Sequence, residues 1–583
     1  MEARMADVPD LAAMEPLLIP QPTSIVLTGG WVEVGPRPDW AIQSCIGQEP
    51  EGYRIEIADR DGEGRVQLRA DDKAGLRHAG QTLAQLRRQY GTRLPTMVIE
   101  DRPRFAKRGV MLDASRDRVP LLREAINAAR QLRHLKVNHL QLYTEHTFAY
   151  RGHDDVWQGW SPFTEGEVHV LGEWCSAHEV ELAANQNCFG HLASWLRHPK
   201  YAHLAETHGD WVFDVWPRSG PFSLCPTDPK SLELVEDLLG QLLPSFTSRL
   251  VNIGCDETYD IAYGRSKDEV ARRGRAAVYL EFVSKVAAIA RKHGKRSMFW
   301  ADIALSHPEC VKDIPADMIA LAWGYEPEAP FARWCELLRG AGREVWVCPG
   351  TSSWRSITGR TTERHGNIRA AAEQGSAGGA SGFLMCDWGD TGHHQQWPIS
   401  LMGIAHGAAA AWNPGAPFDQ CAASLHVFGD RSLQVGGWME ELGDVDLKLR
   451  QTCGALSAPG RVRLPNQSAL FIDMLKKLDE QAEVGRPEDW DEVRDHIEQL
   501  AASRPSLPSE QMNDELKHTI EVARFAAARA AGRRRRGGLT DADKRTLRDQ
   551  LEAIIAEHRR LWRLRSREGG MEHSCGYYRG IDL

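Results

Sequence analysis

Two adjacent carboxylates, Asp256 and Glu257, interrupt the run VNIGCDETYD (251–260). Successive side chains on a regular strand point to opposite faces, so neighbouring acids share one task only where the strand has ended and the chain turns. Paired carboxylates point to glycoside hydrolysis. An ordinary retaining enzyme holds them about 5–5.5 Å apart across the sugar and an inverting one about 6.5–9.5 Å apart. Sequence neighbours at one strand end do not readily straddle an anomeric carbon. They do suit a division of labour in which the sugar's own 2-acetamido group attacks that carbon. One acid then protonates the leaving oxygen, and the other carboxylate orients the acetamide and stabilises its charge. The chain also carries 19 Trp, a residue suited to stacking on flat apolar faces.

Residues that do chemistry need elements to aim them. From about residue 104 strand-like runs recur at GVMLDAS (109–115), HLQLYTE (139–145), ELAANQN (181–187) and LVNIGCDE (250–257). They continue at RSMFWADIA (296–304), MIALAWGYE (318–326), EVWVCPG (344–350) and GFLMCDWGD (382–390). Helical patterns lie between them at 121–135, 165–178, 229–243, 275–293, 330–340 and 366–375, and 398–411 follows the last. Eight strands alternating with helices predict a closed α/β (β/α)8 TIM barrel over 104–415. The C-terminal strand ends of such a barrel build its active site. Here those ends bear Asp113, Glu145, Asn185, Asn187, Asp256, Glu257, Asp302, Tyr325, Trp388 and Asp390. Asp302 and Glu145 are further site candidates, and Asp113 reads as structural.

The flanks differ in character. Residues 1–103 read as a small N-terminal α/β domain, with strands at 53–58, 65–70 and 97–101 and a helix over 72–90. After about 415 the pattern becomes helical and charged, through SALFIDMLKKLDEQAEV, DEVRDHIEQLAAS, ELKHTIEVARFAAARAA and 540–565. This C-terminal helical region, 416–583, is expected either to close the site or to build a homodimer. Its tail, GGMEHSCGYYRGIDL, reads as a segment that docks.

Composition narrows the class. A net charge of −9 argues against nucleic acid as a partner, and the basic run Arg533–Arg536 reads as a solvated loop between helices. No apolar run is long enough to span a membrane. The N-terminus has the pattern of neither a secretory signal nor a transit peptide. Twelve scattered Cys read as reduced thiols and suggest a cytoplasmic protein.

The chain resembles the family 20 glycoside hydrolases, the β-N-acetylhexosaminidases, over roughly residues 50–415. The likeness is carried by RFAKRGVMLDASR (104–116), NCFGH (187–191), VNIGCDE (251–257), MFWAD (298–302), LAWGY (321–325) and MCDWGD (385–390). LQLYTEHTFAY and LAWGY look closer to the hexosaminidase D-type branch. The resemblance implies Asp256 as the acetamido-orienting residue and Glu257 as general acid/base. It implies Arg108 and His191 as sugar ligands, Trp300, Trp323 and Trp388 as aromatic walls, and Asp390 on sugar hydroxyls. Two departures stand out. Cys255 replaces a second glycine, and the stretch after strand 7, CPGTSSWRS (348–356), lacks the tyrosine that polarises the acetamide. Tyr325 or Tyr259 is the expected substitute.

The expected activity is exo-acting removal of terminal N-acetylhexosamine from an oligosaccharide or glycoconjugate by a retaining, substrate-assisted mechanism. The rivals are a β-glycosidase for a non-acetamido sugar and a catalytically silent carbohydrate-binding barrel. Cys188, His191, Cys255, Cys386, His393 and His394 near strand ends raise a metal-dependent reading. They lack clustered ligand spacing, and strand 1 ends in Asp-Ala-Ser rather than a His-x-His pair. No metal and no cofactor are therefore expected.

Overall fold

The computed structural model describes residues 9–43, 49–214, 216–455, 466–475 and 484–583. Five strands form the N-terminal sheet: β1 (Ser24–Glu33), β2 (Asp39–Ile42), β3 (Tyr53–Arg60), β4 (Glu63–Ala70) and β5 (Arg93–Asp101). Their spatial order is β1-β5-β3-β4-β2. Helix α1 (Lys73–Tyr90) packs Ala79, Leu83 and Leu86 against Tyr53, Ile55, Ile57 and Leu68. Strands β1 and β2 escape the sequence pattern because they are largely exposed edge strands without alternation.

The barrel strands are β6 (Lys107–Asp113), β7 (His139–Thr144) and β8 (Glu181–Gln186). After a hairpin of β9 (Asp210–Phe213) and β10 (Trp216–Ser219) come β11 (Leu250–Asn252), β12 (Arg296–Trp300), β13 (Ile319–Trp323), β14 (Glu344–Cys348) and β15 (Gly382–Asp387). The eight barrel strands close through β15–β6 pairing, with neighbours parallel throughout. Helices α2 (Leu122–His134), α3 (Glu165–Ala177), α4 (Pro229–Leu242), α5 (Arg275–Lys292), α6 (Phe331–Gly340), α7 (Thr361–Ala377) and α8 (Trp397–Trp412) surround them.

Period-two alternation decides what reaches the lumen. On β12, β13 and β14 the inward residues are Met298 and Trp300, Ile319 and Leu321, Trp346 and Cys348. Phe299, Ala320, Ala322, Val345 and Val347 face the helices. On β15, Leu384 and Cys386 point inward, and the same parity carries Trp388 to the mouth. Polar lumen groups pair with each other: Asn185 and Asn252 both donate to Gln141 Oε1, at 2.9 and 3.2 Å.

The opposite end of the barrel is joined to the N-terminal domain by a buried ionic cluster, and Arg108 belongs to it. At the start of β6, its guanidinium pairs with Glu51 at 2.5 Å, donates to the Phe105 carbonyl and lies 4.9 Å over the Trp412 ring. Beside it Lys136 Nζ and Trp412 Nε1 both donate to Asp101, at 3.1 and 2.8 Å. The expectation that Arg108 binds sugar is therefore corrected. It sits five residues back from the strand end, on the face remote from Asp256 and Glu257. Removing one partner of a buried pair costs about 3–5 kcal/mol. Arg108→Met is thus expected to lower the thermal midpoint clearly while leaving KM unchanged, as differential scanning fluorimetry and steady-state kinetics would show.

Beyond the barrel, α9 (Pro487–Ala502), α10 (Glu510–Arg534), α11 (Asp541–Arg565) and α12 (Met571–Arg579) dominate a helical region. It shares one apolar core with the barrel's outer layer. The helix expected across 468–484 is described as helix at Ala469–Leu475; residues 476–483 lie outside the described residues. The run Arg533–Arg536 is not wholly a solvated loop: Arg534, in the last turn of α10, is buried on Asp473 at 2.6 Å. No described helix is long and apolar enough to cross a membrane.

Candidate active site

Strand β11 stops at Asn252, and the next residues abandon extended geometry, with positive φ at Gly254 (68°), Cys255 (73°) and Glu257 (54°). Gly254 is required twice over. Its backbone is left-handed, and a Cβ there would fall 2.5 Å from Asn187 Oδ1. Cys255 holds a similar conformation with a side chain, at a position where glycine would be unstrained. This turn puts Asp256 and Glu257 on one side of the chain, as their shared contact with His191 shows. His191 Nε2 lies 3.3 Å from Asp256 Oδ2 and 3.2 Å from Glu257 Oε2. Those contacts are electrostatic, without hydrogen-bond alignment.

The two acids have different environments. Asp256 is buried and accepts from Asn187 Nδ2 at 2.8 Å. Burial opposes its charge, but His191, then Asn187 and Arg116, outweigh it and hold the carboxyl below its ordinary range. The same pairing acts on His191. Burial disfavours the imidazolium, yet Asp256 and Glu257 prevail and lift its pKa to about 10. Arg116 donates to Nδ1 of the neutral ring at 3.3 Å, so a proton sits on Nε2, facing the acids, in either charge state.

The site arginine is Arg116, just past β6. Its guanidinium reaches Asp390 at 2.7 Å and Glu145 at 3.4 Å, and lies 4.5 Å over the Trp388 ring and 5.1 Å over Tyr143. Asp113 anchors the turn by accepting from the Ser115, Arg116 and Gly389 amides, which ties the end of β6 to the loop that carries Asp390. Burial pushes the Asp113 carboxyl up to about 6, against the pull of Arg116.

An aromatic enclosure completes the mouth. Trp300 and Trp388 have ring centroids 5.8 Å apart, and Trp323 stacks on Tyr325 at 5.2 Å. Trp388 Nε1 donates to the Tyr325 hydroxyl at 2.7 Å, so the phenol keeps its own proton as a donor. Tyr259 instead packs against Phe213 of the β9–β10 hairpin, at 5.0 Å.

Asp302 supports the turn from below. It accepts the Glu257 amide at 3.0 Å and Trp323 Nε1 at 3.4 Å. Burial first, then the charges of Asp256 and Glu257, push its carboxyl well above the usual range. The accepting role toward the Glu257 amide can be taken over by an amide oxygen. Asp302→Asn is expected to keep kcat/KM within about tenfold of wild type, because the acceptor for the Glu257 amide survives. Asp302→Leu, which removes it, should cost far more; equal losses in the two variants would mean that the carboxyl itself, and not an acceptor for the Glu257 amide, is what the site needs.

Of the residues expected at the site, Asp256, Glu257, His191, Trp300, Trp323, Tyr325, Trp388 and Asp390 come together and Arg108 does not. Arg116 was not selected from the sequence, and Asn187 was noted only as one of the strand-end residues, with no role given. Their signal was position alone: both follow barrel strands at the C-terminal face, whereas Arg108 starts one. His191, Asp256 and Glu257 place potential metal-ligand atoms within 4.8 Å of one another, the sole such group among the described residues. A cation there would compete with the proton on His191 Nε2.

Adjacent carboxylates, a guanidinium–carboxylate pair and clustered aromatic rings at the mouth of a parallel barrel are the features of a barrel glycoside hydrolase. Residues 105–336 match the catalytic domain of glycosyl hydrolase family 20, and residues 37–102 match domain 2 of the same family. The chain belongs to glycoside hydrolase family 20. It is 23% identical over 309 residues to a beta-hexosaminidase of Emericella nidulans, covering 49% of this chain and 51% of that protein. Hexosaminidase D of Homo sapiens is 24% identical over 194 residues, covering 32% and 36% respectively. The chain thus spans about half or less of the length of these relatives. A crystal structure of a beta-N-acetylhexosaminidase superposes with a TM-score of 0.56 at 18% identity, over 72% of this chain and 95% of that one. At that identity the superposition establishes the fold.

Proposed function

We propose that the protein is an exo-acting β-N-acetylhexosaminidase that removes terminal N-acetylhexosamine with retention, through participation of the substrate's acetamido group. The observation that carries this reading is the split between the two neighbouring acids. Asp256 is buried, held ionised and fixed by Asn187 and His191, so it suits a permanent charge beside a developing oxazolinium. Glu257 is the more open of the two, with 22% side-chain exposure against 7%, so it suits proton delivery to a leaving oxygen.

Arg116 and Asp390 grip the outer hydroxyls of the terminal sugar. A planar guanidinium braced by a carboxylate suits paired hydroxyl oxygens. Trp300, Trp323 and Trp388 enclose the ring and acetamide, and Tyr325 takes the place of the tyrosine absent after β14 by donating to the acetamide carbonyl. As the bond to the leaving oxygen breaks, Glu257 delivers its proton there and the acetamide oxygen closes on the anomeric carbon. Asp256 meanwhile accepts from the acetamide N–H. Water, deprotonated by Glu257, then attacks the anomeric carbon from the face the leaving oxygen vacated, and the bond to the acetamide oxygen breaks.

A panel of aryl β-glycosides with and without the 2-acetamido group tests this. Turnover confined to the acetamido members is expected. Equal turnover of plain glucosides or galactosides would replace it with an ordinary β-glycosidase, and none at all with a binding protein.

A further inference from the structure

The C-terminal tail lies on the catalytic face. After α11, residues 565–567 run antiparallel to 119–121. The Leu121 amide donates to the Arg565 carbonyl and the Arg567 amide to the Val119 carbonyl, both at 2.9 Å. The chain then presses onto the loop that follows Arg116. A Cβ on Gly570, whose φ is 77°, would stand 1.7 Å from the Asp117 carbonyl oxygen, so only glycine lets the tail come so close.

From there α12 reaches both loops that carry the sugar clamp. His573 Nδ1 meets Asp117 Oδ1 at 2.5 Å, while Asp117 Oδ2 accepts the Gly392 amide at 3.1 Å. Ser574 Oγ donates to the Gly392 carbonyl, and the Ser574 carbonyl meets His394 Nε2 at 3.1 Å. Gly392, two residues after Asp390, is therefore held at both its N–H and its C=O by groups that belong to the tail or are fixed by it. Arg116, which pairs with Asp390, directly precedes Asp117.

Aromatic rings continue the contact along the rim. Centroid separations are 4.7 Å for His146–Trp160, 6.0 Å for Trp160–His573, 5.5 Å for His573–Tyr577 and 5.8 Å for Tyr577–His394. Tyr577 is half-buried; burial, then the charges of Asp117 and Asp390, raise its phenol.

We infer that α12 is a wall of the sugar site: His573 is a positioning residue for the Arg116–Asp390 clamp through Asp117, and Tyr577 closes the pocket beyond the terminal sugar. This rests on the hexosaminidase reading, which places the outer hydroxyls on Arg116 and Asp390. A wall behind those hydroxyls leaves no path for a further sugar at the non-reducing end. Exo action is then enforced by the far end of the chain.

The test uses the full chain, since Met571, Cys575 and Tyr578 of the same helix are buried in the core. The substrates are an aryl N-acetylglucosaminide and the aryl glycoside of its β-1,4 dimer. His573→Ala should lower kcat/KM about tenfold, the worth of one hydrogen bond to a charged group, mainly through KM. His573→Asn keeps a donor near the Nδ1 position and should recover most of that loss. Tyr577→Ala should raise KM and release the intact disaccharide from the dimer glycoside, which the wild type should not do. Wild-type turnover of the monosaccharide glycoside checks the functional reading by itself. With that turnover present, wild-type kcat/KM and product pattern in folded Tyr577→Ala and His573→Ala would overturn the wall. If His573→Ala fails to fold, the half-exposed Tyr577 site decides alone.

Discussion

Glu257→Gln is expected to leave a folded protein whose turnover of aryl N-acetylhexosaminides has fallen by about 10²–10⁴, the usual worth of a positioned proton donor. The amide is nearly isosteric with the acid, so the loss isolates proton transfer from shape. The surroundings favour Glu257 over Asp256 for this role. Its backbone is fixed by the bond to Asp302, its carboxylate stands 3.2 Å from His191 Nε2, and it is the less enclosed of the two acids. The deficit should depend on the leaving group. A dinitrophenol departs with little need of a proton and should recover much of the rate, whereas a nitrophenol or a sugar should not. A deficit that stayed constant along that series would move the proton donor elsewhere.

That the barrel was legible in the sequence has a physical reason. Each strand is a short apolar run between helical patterns, and on β12, β13 and β14 period two keeps every other side chain in the lumen. The same parity delivers Trp300, Trp323 and Trp388 to one mouth. The pattern had no power over what is joined at long range. Arg108 and Arg116 lie eight residues apart in one recognisable stretch, RFAKRGVMLDASR, and only strand polarity separates them. Arg108 opens the strand beneath the N-terminal domain; Arg116 leaves it at the catalytic face. Asn187 was visible as a strand-end amide, but its bond to Asp256 depends on Gly254 leaving room for it. The docking of α12 across loops 182 and 456 residues earlier has no local signature at all, since its partners Gly392 and Asp117 are unremarkable in sequence.

The mechanism itself rests on Asp256. If that carboxylate orients a participating acetamide, Asp256→Asn should cripple acetamido substrates by a factor of about 10²–10³, as expected when a charge aimed at a developing cation becomes a neutral dipole. The structure adds a second reason for a large effect. Asp256 is the chief partner sustaining the charge on His191, whose pKa stands at about 10. A histidine raised in this way contributes stability below its unfolded value and loses it as pH climbs toward the folded one. In Asp256→Asn that contribution shrinks, so a pH titration of the thermal midpoint should show a smaller loss between pH 6.5 and about 10 than the wild type shows. A thiazoline analogue of the bicyclic intermediate should bind wild type far more tightly than substrate does, because the site favours the transition-state-like species, and Asp256→Asn should lose most of that advantage. The opposing result is equally concrete. A 2-fluoro sugar that labels a carboxylate covalently, seen by mass spectrometry and accompanied by no thiazoline inhibition, would mean an ordinary nucleophile, with Asp256 its orienting neighbour at most.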